Sequence, residues 1–196
     1  IVATPIGNME DITIRAINTL NQVGIVAAED TRKTARLLAR HQIRSPLISC
    51  HEHNEHERID TLIQRLLGGE DVALVSDAGT PTLSDPGYRL ICAAVNAGIT
   101  VIPIPGPSAA VSALSASGLP TDTFVFVGFL PKKKGKRQAC LEELKGQPRT
   151  LIFYESPRRI LALLEELGEV LGDRRAVVCR EMTKLYEEFL RGTLSE

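Results

Sequence analysis

The stretch Val72–Gly87, V-A-L-V-S-D-A-G-T-P-T-L-S-D-P-G, decides how the rest of the chain is read. Val72 to Val75 is an apolar run of the length and composition of a buried strand. It breaks into a loop holding Asp77, Gly79, Thr80, Pro81, Ser84, Asp85, Pro86 and Gly87. Ligands of open α/β sheets bind just outside the carboxyl ends of the strands, and this loop belongs at such an end. Glycine lets backbone groups approach a ligand closely, and proline holds a loop in shape without an ordering cost. The same residues also suit a plain strand-to-helix turn, with Ser84 or Asp85 capping a helix that Pro86 opens.

Outward from this stretch the pattern recurs. Ile1-Val2-Ala3 reads as a strand end followed by the loop Thr4-Pro5-Ile6-Gly7-Asn8. Asp11 can cap the next helix, with Ile12, Ile14, Ile17 and Leu20 near helical spacing. Ile25 to Ala28 predicts a strand running into Glu29-Asp30-Thr31-Arg32, where Asp30 or Thr31 starts a basic helix through His41. Leu47 to Cys50 predicts a third strand, and Ile59, Leu62, Ile63, Leu66 and Leu67 mark a helix stopped by Gly68-Gly69. A helix from Pro86 to about Ala97 and a strand from Val101 to Ile104 follow, then Pro105-Gly106-Pro107-Ser108-Ala109-Ala110. Small residues up to Ser117 suit a closely packed helix.

Gly118-Leu119-Pro120-Thr121 is the best linker candidate. Beyond it, Phe124 to Val127, Leu151 to Tyr154, Ala176 to Cys179 and Glu188 to Leu190 read as strands. Glu155-Ser156-Pro157 starts a helix running to about Leu171. Strands alternating with helices predict a mostly parallel sheet. The expectation is two α/β domains, residues 1–117 and 118–196, with a cleft between them. The chain starts without methionine and stops in mid-pattern, so both ends read as trimmed and the second domain as incomplete.

Composition narrows the class. Hydrophobic residues at 43% and charged ones at 24% are ordinary for a globular domain. A net charge of −1 gives no global pull toward nucleic acid or membrane. The halves differ: residues 1–117 carry nine Lys/Arg against twelve Asp/Glu, and residues 118–196 carry fourteen against twelve. The widely spaced Cys50, Cys92, Cys140 and Cys179 form no C-x-x-C pair and read as reduced buried thiols of a cytoplasmic protein. No apolar run reaches bilayer length, and no membrane role is expected.

Several chemistries lack their motifs. G-x-S-x-G, G-x-x-x-x-G-K-[ST] and G-x-G-x-x-G are absent, so no nucleophile elbow, P-loop or dinucleotide fingerprint is present. The cluster His51-Glu52-His53-Asn54-Glu55-His56 misses the H-E-x-x-H register, and it reads as a polar loop rather than a metal site. What remains is three Gly/Pro loops at strand ends with few reactive side chains: Pro5 to Asn8, Asp77 to Thr80 and Pro105 to Ala109. Such loops offer backbone groups and shape, which suits chemistry carried by a cofactor. Lys132, Lys133, Lys134, Lys136 and Arg137 form a basic loop of phosphate-contacting composition, equally readable as a solvated surface. Arg32, Lys33, Arg36 and Arg40 put a second basic surface on one helix. The two together favour RNA as substrate.

V-A-T-P-I-G-N, A-E-D-T-R, S-D-A-G-T-P-T-L-S-D-P-G-Y-R, P-I-P-G-P-S-A, S-A-S-G-L-P-T-D, F-Y-E-S-P-R-R and R-E-M-T-K-L-Y-E-E-F-L-R-G-T occur in this order. Together they closely resemble the bacterial small-subunit ribosomal RNA 2′-O-methyltransferases of the tetrapyrrole methylase superfamily, over essentially the whole chain. The resemblance implies a cytoplasmic, homodimeric enzyme of two α/β domains with S-adenosylmethionine in the cleft between them. It would methylate the ribose 2′ oxygen of a decoding-region cytidine in 16S rRNA, free or in the 30S subunit. It places the cofactor loops on Pro5 and Gly7, on Ser76, Asp77, Ala78, Gly79 and Thr80, and on Pro105 to Ser108 with Ala109. From the second domain it adds Tyr154, Glu155 and Ser156, with Met182 and Thr183 nearby.

Methyl transfer from a sulfonium is a direct displacement, in which alignment supplies much of the rate and a base takes the hydroxyl proton. The candidates for base or sugar-orienting group are Glu29, Asp30, Asp77, Glu181 and Lys184. Glu29 and Asp30 can equally be a helix cap, and Glu181 with Lys184 a local ion pair. Tetrapyrrole methylation and a non-catalytic RNA-binding role are the alternatives, both disfavoured by A-E-D-T-R, the basic segments and the intact loops.

Overall fold

A computed structural model describes all residues, Ile1–Glu196, and their contacts group them into two units, Ile1–Ser108 and Ala109–Glu196. The first unit contains α1 (Ile14–Gln22), β1 (Ile25–Ala28), α2 (Thr31–Arg40), β2 (Leu47–Ser49), α3 (Glu55–Leu67), β3 (Val72–Val75) and α4 (Tyr88–Asn96). β2, β1 and β3 lie side by side in that order, all parallel, with Ala28 opposite Val75 and Ser49. Each strand returns through a helix, the crossover that parallel pairing requires.

The pleat explains the apolar runs. Val26, Ala28, Ala73 and Val75 project to a face packed with Ala16 and Leu20 of α1 and with Leu37 and Leu38 of α2. Ile25, Ala27 and Leu74 project to the opposite face, against Leu62 of α3 and Leu90 of α4. A strand covered on both faces needs apolar residues at every position, and β1 is buried throughout. The segments expected as first and fifth strands extend this sheet only through isolated bridges. Val2 pairs with Ile104, and its N–H donates to the Leu74 carbonyl at 2.9 Å. Pro103 and Pro105 beside Ile104 lack N–H donors, so no longer ladder forms there.

Helix starts depart from the expected ones in three places. Thr13, not Asp11, caps α1, its hydroxyl accepting from the Ala16 N–H at 3.0 Å. Asp11 instead ends a 3₁₀ turn, Met9–Asp11, capped by Asn8. α4 begins after Gly87 rather than at Pro86, and its Leu90 N–H is met at 3.2 Å by the carboxylate of the buried Glu55. Gly87 has φ of +114°, and a Cβ there would stand 2.6 Å from Leu74 Cδ2.

The second unit contains α5 (Ala109–Ser117), β4 (Phe124–Phe129), α6 (Lys134–Glu143), β5 (Thr150–Tyr154), α7 (Ile160–Leu171), β6 (Arg175–Arg180) and β7 (Glu188–Thr193). β4 and β5 are parallel, and β6 and β7 form an antiparallel pair. Leu130, Leu141, Leu163 and Leu167 form the core, joining α6 to α7. α5 falls in this unit by its ends: the Tyr154 hydroxyl accepts from the Ala110 N–H at 3.1 Å, and Arg191 of β7 donates to the Ala116 and Ser117 carbonyls. The division therefore precedes α5, whereas the sequence reading set it at the Gly118 linker. The basic segment expected as a loop is largely the first turn of α6, and α7 starts after a turn at Pro157 to Arg159. All four cysteines are free; Cys50 is buried, and the other three are half-buried.

Candidate functional site

Parallel pairing of β1 with β3 brings the loops after their carboxyl ends together. The Asp77 carboxylate accepts from the Asp30 N–H at 3.0 Å, and its other oxygen meets Lys33 Nζ at 2.6 Å. The Asp77 N–H in turn donates to the Glu29 carboxylate at 3.2 Å. Thr4 and Gly79 exchange two backbone hydrogen bonds of 2.9 Å, and the Thr80 hydroxyl donates to the Pro107 carbonyl at 3.2 Å. The loops carrying Pro5 and Gly7, Ser76 to Thr80, and Pro105 to Ser108 are thus one hydrogen-bonded cluster at one end of the sheet. That is the set the sequence singled out in this unit.

Two glycines make this cluster possible. Gly79 has φ of +81°, a left-handed conformation that glycine adopts without steric cost. Gly106 passes Ala3 so closely that a Cβ would lie 3.0 Å from the Ala3 Cβ. The following turn holds Thr82 at φ +74° and Ser84 at +64°, conformations unusual for residues with a side chain.

The acidic groups differ in what holds them. Asp30 caps α2, accepting from the Arg32 N–H at 2.9 Å, and also takes the Arg32 guanidinium through Nε and Nη2. That pairing keeps its carboxyl well below the usual carboxylate range. Lys33 holds its proton more tightly because Asp77 accepts from it. Asp85 was read from the sequence only as a helix cap. Burial pushes its carboxyl up to about 6, reinforced by the charges of Glu29 and Asp77 and opposed by a hydrogen bond with Ser76. The signal was its place in the second S-D pair, but what sets its proton affinity is Glu29, remote in sequence.

The second unit gathers a different subset. Ala109, Tyr154, Glu155 and Met182 border one cavity of about 460 Å³. Tyr154 is fixed by edge-to-face packing on Phe126 and Phe129 and by its contact with the Ala110 N–H. Glu155 accepts from the Ser156 N–H at 2.6 Å and pairs with Arg159 at 2.5 Å, and Arg159 also donates to the Ser156 hydroxyl. Between β6 and β7, Glu181 and Thr183 have φ of +50° and +65°, and the buried Thr183 hydroxyl has no hydrogen-bond partner. Glu181 pairs with Lys184 at 3.2 Å, both side chains about half exposed.

The basic candidates separate by partner. Arg137 is tied to Glu166 through two contacts of 2.5 and 2.6 Å and to the Lys132 carbonyl at 3.1 Å, so the α6–α7 packing uses it. Lys132, Lys133, Lys134 and Lys136 are exposed and make no ion pair, as is Arg36 on α2. Arg32 and Lys33 are exposed but paired with Asp30 and Asp77. No group of three or more His, Cys, Asp or Glu side chains is placed to hold a metal ion, and no helix is long and apolar enough to cross a membrane.

Comparison with known proteins agrees over the full length. The chain is 56% identical to the ribosomal RNA small subunit methyltransferase I of Halalkalibacterium halodurans, covering all of this chain and 68% of that protein. It is 55% identical to the protein of the same name from Micromonospora olivasterospora, again over the whole chain but 63% of the relative. The chain thus spans about two thirds of the length of these relatives. Among solved structures, a uroporphyrin-III C-methyltransferase from Thermus thermophilus, complexed with S-adenosyl homocysteine, superposes with a TM-score of 0.66. It is 19% identical, covering all of this chain and 87% of that one, a likeness of fold. The family of tetrapyrrole (corrin/porphyrin) methylases matches residues 1–196, and the chain belongs to it.

Proposed function

We propose that this protein transfers a methyl group from S-adenosylmethionine to the ribose 2′ oxygen of a cytidine in the decoding region of 16S ribosomal RNA. The observation that carries the proposal is the match, at 49–56% identity over the whole chain, to proteins named ribosomal RNA small subunit methyltransferase I. The loop cluster fits the cofactor on features of its own. Gly79 and Gly106 bare the backbone where three loops meet, and Glu29, Asp77 and Asp85 put negative charge beside it. These loops, with Pro5, Gly7, Ser76, Ala78, Thr80 and Ser108, would hold the ligand. Ala109, Tyr154, Glu155, Ser156, Met182 and Thr183 would add to it from the second unit.

When bound, S-adenosylmethionine supplies an electrophilic methyl group on a sulfonium. The chain's own task is to orient the sugar hydroxyl and receive its proton. Asp30 and Asp77 are each engaged by a cation, which favours a positioning role for them over proton acceptance. Glu181 and Lys184 form a second charged pair available to the sugar. Lys132, Lys133, Lys134, Lys136 and Arg36 would meet RNA phosphates, with Arg32 and Lys33 beside them and Arg137 bracing the lysine segment. The enzyme would work in the cytoplasm as a homodimer, on rRNA or the 30S subunit.

The test is methyl transfer from tritiated S-adenosylmethionine by the full-length protein to 30S subunits and to naked rRNA, both from cells lacking the enzyme. Label confined to one alkali-resistant cytidine supports the proposal. Cofactor binding without transfer to either RNA overturns it.

A further inference from the structure

In the second unit β5 hydrogen-bonds only to β4, and β6 only to β7. Both strands border the same cavity of about 460 Å³, which touches every residue from Leu151 to Glu155 and every residue from Arg174 to Cys179. Side chains alternate between the faces of a strand, so a cavity that meets successive residues meets the strand's edge. Arg174, just before β6, donates to the carbonyls of Gln147 at 2.9 Å and Arg149 at 3.0 Å, just before β5. The two strands therefore start at the same end and run the same way. Between them is a slot walled by unpaired strand edges, with α5 and α7 lending apolar side chains such as Leu114, Leu163 and Leu167.

We infer that this slot takes an extended apolar segment of the same polypeptide from outside residues 1–196, inserted between β5 and β6 to join the two sheets. The relatives supply the length: the chain makes up 68% and 63% of two of them, so further polypeptide accompanies this domain there. The walls supply the chemistry. Unpaired N–H and C=O groups in an apolar slot are costly until matched, and an inserted strand matches both edges at once. β5 and β6 are apolar yet half-buried, which is what central strands lacking a neighbour show. A tethered segment also reaches the slot at a high effective concentration, which a separate chain does not. The occupant would be about five residues at roughly 3.3 Å each, rich in Val, Ile and Leu. Tyr154, Glu155 and Met182 border the carboxyl-end mouth of the slot, and the inference does not depend on the methyl-transfer reading.

Amide hydrogen exchange of the full-length protein, at residue resolution and without cofactor, tests this. Exchange slowed at least about a hundredfold across Leu151–Tyr154 and Ala176–Cys179, together with one equally slowed apolar segment outside residues 1–196, is the expected result. Open-loop exchange at those edges overturns the inference. So does protection that grows with protein concentration, which would make a second copy the occupant. Protection that appears only on adding S-adenosylhomocysteine, or with no slowed segment elsewhere, overturns it as well.

Discussion

β1 of the first unit, I-V-A-A, is buried at every position, whereas β5 and β6 of the second, T-L-I-F-Y and R-A-V-V-C-R, are only half-buried. Their interiors are equally apolar. The difference is in neighbours: β1 has a strand on each side and helices on both faces, while β5 and β6 each keep one edge unpaired. Apolar composition marks a strand for the interior, but burial comes from partners that composition does not name.

That contrast is sharpened by cutting into each environment. Leu62 of α3 is fully buried against the first sheet, so Leu62→Ala leaves a cavity and costs about 3 kcal/mol in urea unfolding of the full-length protein. Leu161 of α7 is 74% exposed, and Leu161→Ala stays within about 0.5 kcal/mol. Equal losses at both positions would break the comparison.

Gly87→Ala forces a left-handed residue and pushes on Leu74, an expected loss of about 2 kcal/mol by the same assay. Gly172→Ala in the second unit, also at positive φ but with open space around it, costs only the conformational part, about 1 kcal/mol.

Asp85 tests the electrostatics of the loop cluster. Its carboxyl titrates near 6 in the folded protein against about 3.9 in an unfolded chain, so the folded state holds the proton longer. Stability therefore falls as pH rises from about 4 to 6 and then levels off. Asp85→Asn removes that loss, adding about 1–2 kcal/mol at pH 8 and almost nothing at pH 4. Thermal melts at the two pH values check this, and a pH-independent effect would place the group outside the cluster. Asp30 works in the opposite sense: its ion pair stabilises above the ordinary carboxylate range and is lost as the pH falls through it.

The smallest effect on stability comes from the basic segment. Replacing Lys132, Lys133, Lys134 and Lys136 by alanine leaves unfolding within about 0.5 kcal/mol. It flattens the salt dependence of RNA binding by up to about three contacts. Arg137→Ala does the reverse, costing about 1 kcal/mol through the lost Glu166 pair with little change in salt slope.

These positions also show what the sequence made legible. The strand Val72–Val75 and the Gly/Pro loops were readable because their signals are local: an unbroken apolar run, then residues that only turns favour. Asp30 as the cap of α2 and Gly68 as the end of α3 were local in the same way. α6 was missed because Leu141 is its single buried residue, which leaves no periodic stripe above four lysines. Glu55 capping α4, Arg191 holding the end of α5 and Glu29 beside Asp85 join residues far apart in the chain. Their pairing exists only once the strands are in register.

The most direct measurement is methyl transfer by the full-length protein from tritiated S-adenosylmethionine to 30S subunits and naked rRNA lacking the modification, with nuclease and alkali mapping. The account predicts label on a single alkali-resistant cytidine of the decoding region. Label on a base, on several nucleotides, or on neither RNA while the cofactor still binds would contradict it.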